Sequence, residues 1–73
     1  MYTLFTANNC TQCAQVETFL TKNNLVFRKV NVDTSKERPP IQIFAFPALF
    51  IGKKLLGYGT DINEYVKKKS QTF

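Results

Sequence analysis

The sequence predicts an α/β domain in the order βαβ(α)ββα, built on a four-stranded mixed sheet with flanking helices. Three observations carry this expectation. Tyr2-Thr3-Leu4-Phe5-Thr6, rich in β-branched and aromatic residues, leads through Cys10-Thr11-Gln12-Cys13 into Val16, Phe19 and Leu20 at helical spacing. A second strand-like stretch, Leu25 to Val32, follows closely enough to close a right-handed βαβ unit with parallel strands. Finally, the apolar run Phe46-Pro47-Ala48-Leu49-Phe50-Ile51 is answered across Gly52-Lys53 by Lys54-Leu55-Leu56-Gly57, the pattern of a hairpin.

The totals fit one domain spanning residues 1–73. A chain of this size buries only about 60% of its unfolded surface, so its core must be economical. Seven Phe and three Tyr supply bulky core material within a 44% apolar composition. No run approaches the roughly 18 apolar residues of a membrane span, and no charged and apolar N-terminal pattern signals secretion. The net charge is +5, ten Lys and Arg against five Asp and Glu. Apart from Lys67-Lys68-Lys69 the basic residues are dispersed, without a nucleic-acid-binding signature. Their bland reading is solubility and helix-end charge; the sharper one is attraction to an acidic protein or an anionic small thiol. A four-residue ring between the only two cysteines removes little chain entropy, so the pair is a poor staple. A reducing, cytoplasmic setting and a monomer are expected.

Each element has its local reason. The first strand covers Tyr2 to Thr6, and Ala7-Asn8-Asn9 supplies the polar turn before a helix. Asn9 or Cys10 caps that helix, which runs to Lys22 with Val16, Phe19 and Leu20 inward and ends at Asn23-Asn24. Cys13 precedes Val16 by three residues and shares the buried stripe, whereas Cys10 does not. The second strand places Val26, Val30 and Val32 on one face, and Arg28, Lys29 and Asn31 mark it as an edge. Asp33-Thr34-Ser35 is a turn or a helix start. Pro39-Pro40 then allow either a single preceding turn or a short helix begun on Pro40 that carries Ile41 and Phe44 inward. After the hairpin, Thr60 caps a last helix with Ile62, Tyr65 and Val66 inward and Lys67 to Lys69 in its final turn; Ser70 to Phe73 are expected to fray.

The chemistry concentrates at Cys10 and Cys13. A thiol at a helix N-terminus meets unpaired N–H groups and a partial positive charge, which favour the reactive thiolate. As half of a zinc or iron–sulfur site the pair lacks partners, because the chain has no His and no other Cys; only a dimer sharing two pairs would complete four ligands. Inert burial suits Cys13 alone but not a pair at a helix start.

This order, with C-x-x-C closing the first strand and a proline opening the third, resembles the thioredoxin fold in its minimal glutaredoxin form over nearly the whole chain. Phe5 to Cys13 is similar to the strand-loop-CxxC of small glutaredoxins, and Gln12 before the second cysteine resembles the NrdH-type redoxins. Phe46-Pro47-Ala48-Leu49-Phe50 matches the family's cis-proline position, and Gly57-Tyr58-Gly59-Thr60-Asp61 resembles its Gly-x-x-x-Asp turn. There are departures. Ala7 stands where many members carry Lys, Thr60 where glutathione-using members often carry Asp, and Asn9 where thioredoxins have Trp. Leu55 and Leu56 also replace a Trp-Ser pair common in the NrdH type. Lys53, Lys54 or Arg38 would restore a cation if the fold brought one near Cys10.

The resemblance implies thiol–disulfide exchange without a bound cofactor. Cys10 attacks a substrate disulfide, and Cys13 resolves the mixed disulfide to leave Cys10–Cys13 oxidised. It further implies substrate binding by Thr11, Gln12, Phe46, Pro47, Tyr58 and Asp61, with a cis Phe46–Pro47 bond that frees Phe46 backbone groups for an extended substrate. Tyr58 is either a wall of that groove or a packing residue on the last helix. The reductant implied is a thioredoxin-reductase-type flavoprotein, with glutathione as the alternative, and the substrate a protein disulfide such as that of ribonucleotide reductase.

Overall fold

The computed structural model describes residues 2–70, the side chains of residues 69 and 70 excepted. Its elements are β1 (Tyr2–Thr6), α1 (Thr11–Lys22), β2 (Phe27–Asn31), β3 (Ala48–Ile51), β4 (Lys54–Tyr58) and α2 (Thr60–Ser70). The four strands form one mixed sheet in the order β2-β1-β3-β4. β2 is parallel to β1, whereas β3 runs antiparallel to both β1 and β4. The mixed sheet and the edge position of β2 agree with the sequence expectation.

Period-2 alternation divides the core between the two faces of the sheet. On one face Leu4 and Leu49 meet Val16 and Leu20 of α1 and Ile62 and Val66 of α2. Both helices therefore cover the same face. On the other, Phe5, Val30, Ala48 and Phe50 form a second cluster, joined by the half-buried Val32, Ile43, Phe46, Leu55 and Tyr58. Phe5 and Phe50 meet edge to face, with ring centroids 5.4 Å apart, an arrangement worth about 0.5–1.5 kcal/mol beyond the area it buries. A register shift between Leu49 and Phe50 against β4 lets Leu55 and Tyr58, three residues apart, both join the second cluster, while Leu56 packs on the first.

The connection from β2 to β3 departs from expectation. No helix forms there; a turn at residues 31–35, closed by the Thr34 and Ser35 N–H groups on the Asn31 carbonyl, leads into irregular chain. Two successive prolines remove consecutive N–H donors and disfavour helix in the residue before each, so helix hydrogen bonds cannot propagate. Arg38 takes up backbone acceptors instead: its Nη1 donates to the carbonyls of Val32 (3.1 Å), Ser35 (2.8 Å) and Glu37 (3.1 Å). Arg28 on β2 holds the same segment by a bidentate pair with Glu37. Ile41 and Phe44 are exposed, at 49% and 84%, and Ile43 and Phe46 turn inward in their place. Val26 is likewise a correction. It precedes β2 and is 77% exposed, while Leu25 and Phe27 pack under the helices.

The helix boundaries follow their caps. Cys10 is the N-cap of α1, Asn23 closes it, and Asn24 takes a left-handed conformation at φ 58°. Ile62, Val66 and Tyr65 of α2 face inward as expected. The expected fraying falls on residues 71–73, which lie outside the described residues, and on Ser70, which closes α2.

Candidate active site

The C-terminal end of β1 delivers the chain into a short loop, Ala7 to Asn9, with Asn9 at φ 56°. This loop sets Cys10 in an extended conformation (φ −113°, ψ 96°) at the head of α1. Cys10 and Cys13 are joined in a disulfide, with Cα atoms 5.2 Å apart. The Cys13 N–H donates to Cys10 Sγ at 3.1 Å, so an otherwise unpaired donor of the helix start points at the first sulfur. Cys13 is 4% exposed beneath the helix, whereas Cys10 is only half-buried. One sulfur thus stands at the surface under a helix N-terminus, and its partner waits behind it.

The other predicted residues reach this end of the sheet from β3 and β4. Phe5 of β1 pairs with Ala48, which places Pro47 beside the exit of β1. The Phe46–Pro47 peptide is cis, as expected, and Pro47 is buried. Its carbonyl accepts the Gly59 N–H at 2.9 Å. Gly59 also faces the first turn of α1: a Cβ there would lie 3.1 Å from both Nε2 and Oε1 of Gln12. With φ at +50°, Gly59 meets two demands that only glycine satisfies without strain, a left-handed backbone and close approach of a neighbour.

Phe46 and Tyr58 are half-buried on the cluster opposite the helices, which decides against packing of Tyr58 on the last helix. Thr11 is exposed on the first turn of α1. Asp61 is exposed in the first turn of α2 and abuts Gly57, where an added methyl group would lie 3.3 Å from Asp61 Cβ. The structure therefore links Gln12, Pro47 and Gly59 directly beside the cysteine pair, whereas Asp61 packs one step away against β4.

Of the candidate cations, Lys53 and Lys54 lie away from the cysteine pair, and Arg38 is anchored in the connection between β2 and β3. Tyr2 pairs with Ile51, and Ile51 with Lys54, so the hairpin bearing Lys53 and Lys54 closes at the opposite end of β1 from Cys10. The Arg38 guanidinium is bound to three carbonyls. Hydrogen bonding to Glu37 raises the Arg28 pKa, and hydrogen bonding to Arg28 lowers that of Glu37, on an exposed stretch of β2.

Sequence reasoning gave Asn31 and Asp33 no contact with the loop ahead of Cys10. Asn31 was legible only as an edge-strand polar residue and Asp33 only as a turn former. In the structure both are hydrogen-bonded to Asn8 in the loop ahead of Cys10. The signal was three Asx residues flanking the two parallel strand ends, which acquires meaning once β1 and β2 are paired.

Comparison with known proteins agrees with this architecture. The glutaredoxin family pattern matches residues 2–56, a span that holds the cysteine pair and Pro47 and stops before the Gly57–Asp61 turn. No curated protein matches the chain in sequence. Among solved structures, a mutant of a thioredoxin-like protein superposes with a TM-score of 0.76 at 16% identity, covering 93% of this chain and 96% of that one. Glutaredoxin C1 from Populus tremula x tremuloides gives 0.72 at 21% identity, covering 92% and 74%. Glutaredoxin 1 from Francisella tularensis gives 0.70 at 17% identity, covering 97% and 96%. At these identities the likeness is one of fold. The family match over residues 2–56 establishes more: this chain belongs to the glutaredoxin family, as a thiol–disulfide oxidoreductase with its redox pair at Cys10 and Cys13.

Proposed function

We propose that the chain is a dithiol electron carrier of the NrdH type, in which Cys10 is the nucleophile and Cys13 the resolving thiol. The observation that carries the division of roles is the 3.1 Å contact from the Cys13 N–H to Cys10 Sγ, together with the burial of Cys13. In the reduced protein that N–H and the α1 dipole favour the Cys10 thiolate. The thiolate attacks one sulfur of a substrate disulfide, the other substrate sulfur leaves as a thiol after protonation, and a mixed disulfide forms. Cys13, deprotonated, then attacks Cys10 Sγ. The second substrate thiol is released, and the Cys10–Cys13 disulfide holds the oxidising equivalents. Thr11, Gln12, Phe46, Pro47 and Tyr58 frame the groove that receives the substrate, with Asp61 one step behind them against β4; the substrate is a protein disulfide of the kind found in ribonucleotide reductase.

The reductant in this reading is a thioredoxin-reductase-type flavoprotein rather than glutathione. Glutathione brings two carboxylates and an ammonium, and Ala7 and Thr60 offer neither the cation nor the acid that would match them. Lys53 and Lys54 close the far end of the sheet, away from the cysteine pair. Two absent charge-assisted contacts, at about 1.5–3 kcal/mol each, correspond to roughly a hundredfold or more in affinity. The test is one disulfide substrate assayed twice, with thioredoxin reductase and NADPH, and with glutathione, glutathione reductase and NADPH. Turnover with the flavoprotein is expected. Turnover with glutathione alone would make the chain a glutathione-dependent glutaredoxin.

A further inference from the structure

Three side chains close a ring of hydrogen bonds between the loop that precedes Cys10 and the turn that follows β2. The Asn8 N–H donates to Asp33 Oδ2 at 2.7 Å. The Asp33 N–H donates to Asn31 Oδ1 at 2.8 Å. Asn31 Nδ2 donates to Asn8 Oδ1 at 3.0 Å, so each residue both gives and accepts. The ring spans 25 residues of sequence yet sits where the parallel strands end side by side, with Thr6 paired to Asn31 and the Val32 N–H on the Thr6 carbonyl at 2.9 Å.

The loop it holds needs holding. Asn9 turns the chain at φ 56°, in the left-handed region that Asn enters more readily than other residues with a Cβ, and the next residue is the N-cap cysteine. The Cys13 N–H meets Cys10 Sγ only while the loop delivers Cys10 in its extended cap conformation. We infer that Asn31 and Asp33 are positioning residues of the redox site: through Asn8 they fix the loop that aims Cys10 Sγ at the helix N-terminus, and thereby set how readily Cys10 ionises. This rests on the assignment of Cys10 as the nucleophile.

A clamp and a bare charge at Asp33 have effects of opposite sign. Asp33 is an anion near the loop, and as a mere charge it would disfavour a thiolate; its removal would then lower the Cys10 pKa. As a clamp it does the opposite, because losing the acceptor frees the loop and weakens the N–H contact that favours the thiolate. Asp33→Asn keeps an oxygen for the Asn8 N–H and removes only the charge. Asp33→Ala removes both, and Asn31→Ala breaks two links of the ring while leaving the charge in place.

The experiment is the pH dependence of iodoacetamide alkylation of the reduced full chain, with peptide mapping to assign the modified cysteine and an amide correlation spectrum to verify folding. Asp33→Ala and Asn31→Ala are expected to raise the Cys10 midpoint by about one pH unit, cutting the thiolate fraction near neutral pH several-fold. Asp33→Asn should stay at the midpoint of the unsubstituted chain or fall slightly below it. Equal lowering by Asp33→Asn and Asp33→Ala, or no change in any variant, would overturn the clamp while leaving the nucleophile assignment intact. Should Asn31→Ala fail to fold, the two Asp33 variants decide the matter, since Asp33 is exposed in a turn. Alkylation that maps to Cys13 in the unsubstituted chain would instead remove the nucleophile assignment, and the clamp with it.

Discussion

The side-chain amide of Gln12 rests on the backbone of Gly59, close enough that a single methyl group on Gly59 would lie 3.1 Å from the amide nitrogen and oxygen. This contact ties the first turn of the redox helix to the turn before α2, and through the Gly59 N–H it continues to the Pro47 carbonyl. Gly59→Ala should therefore cost twice, for the left-handed φ and for displacement of the amide. We expect a loss of about 1–2 kcal/mol from backbone strain alone, read by urea denaturation. A double-mutant cycle with Gln12→Ala should return at least about 0.5 kcal/mol of coupling. Strict additivity would mean that the two residues do not act on one another.

The two thiols should fail differently. Cys10→Ser is expected to abolish exchange with any disulfide. Cys13→Ser should still form mixed disulfides but release them slowly, so that a covalent adduct accumulates and is visible by non-reducing mass spectrometry. An adduct that builds up on Cys13 in the Cys10→Ser protein would reverse the roles.

Adjacent apolar residues of the irregular connection should respond in opposite ways to the same change. Ile43 packs on the cluster of Phe5, Val30, Ala48 and Phe50, whereas Phe44 is 84% exposed. Ile43→Ser is expected to lower stability by about 1–3 kcal/mol, and Phe44→Ser to stay within about 0.5 kcal/mol. If Phe44→Ser proves the more damaging, this segment packs as a helix after all.

Acid should release the same connection from β2. The Glu37 pKa is lowered in the folded chain by hydrogen bonding to Arg28. A lowered carboxylate pKa contributes stability above its unfolded value, and that contribution is lost as the pH falls through the folded value. Arg28, with its pKa raised, stays charged throughout that range. Amide shifts of residues 35–38 should therefore titrate with a midpoint below the ordinary glutamate range, and Glu37→Gln should abolish the transition. Both charges are exposed, so added salt should weaken the effect.

Local rules made most of the secondary structure legible. A strand from Tyr2, a capped helix ending at Asn23, a hairpin about Gly52-Lys53 and a final amphipathic helix each follow from residues a few positions apart. Periodicity, caps and turn formers act over that range. The element order, the edge position of β2 and the placing of two thiols at a helix start could therefore be read from the residues alone. The connection from residue 35 to residue 46 was not legible, because two prolines exclude regular structure without specifying what replaces it. Its path depends on Arg28 and Arg38 binding groups that only the folded chain presents. The same limit applies to the surroundings of Cys10. That Gln12 meets Gly59, that Asn8 meets Asp33, and that Lys53 and Lys54 lie at the far end of the sheet are consequences of strand pairing and register. Hydrogen bonds and packing contacts between residues 25 or more apart exist only once the sheet has brought them together, and for that reason the way the redox pair is held emerges with the folded sheet and not before it.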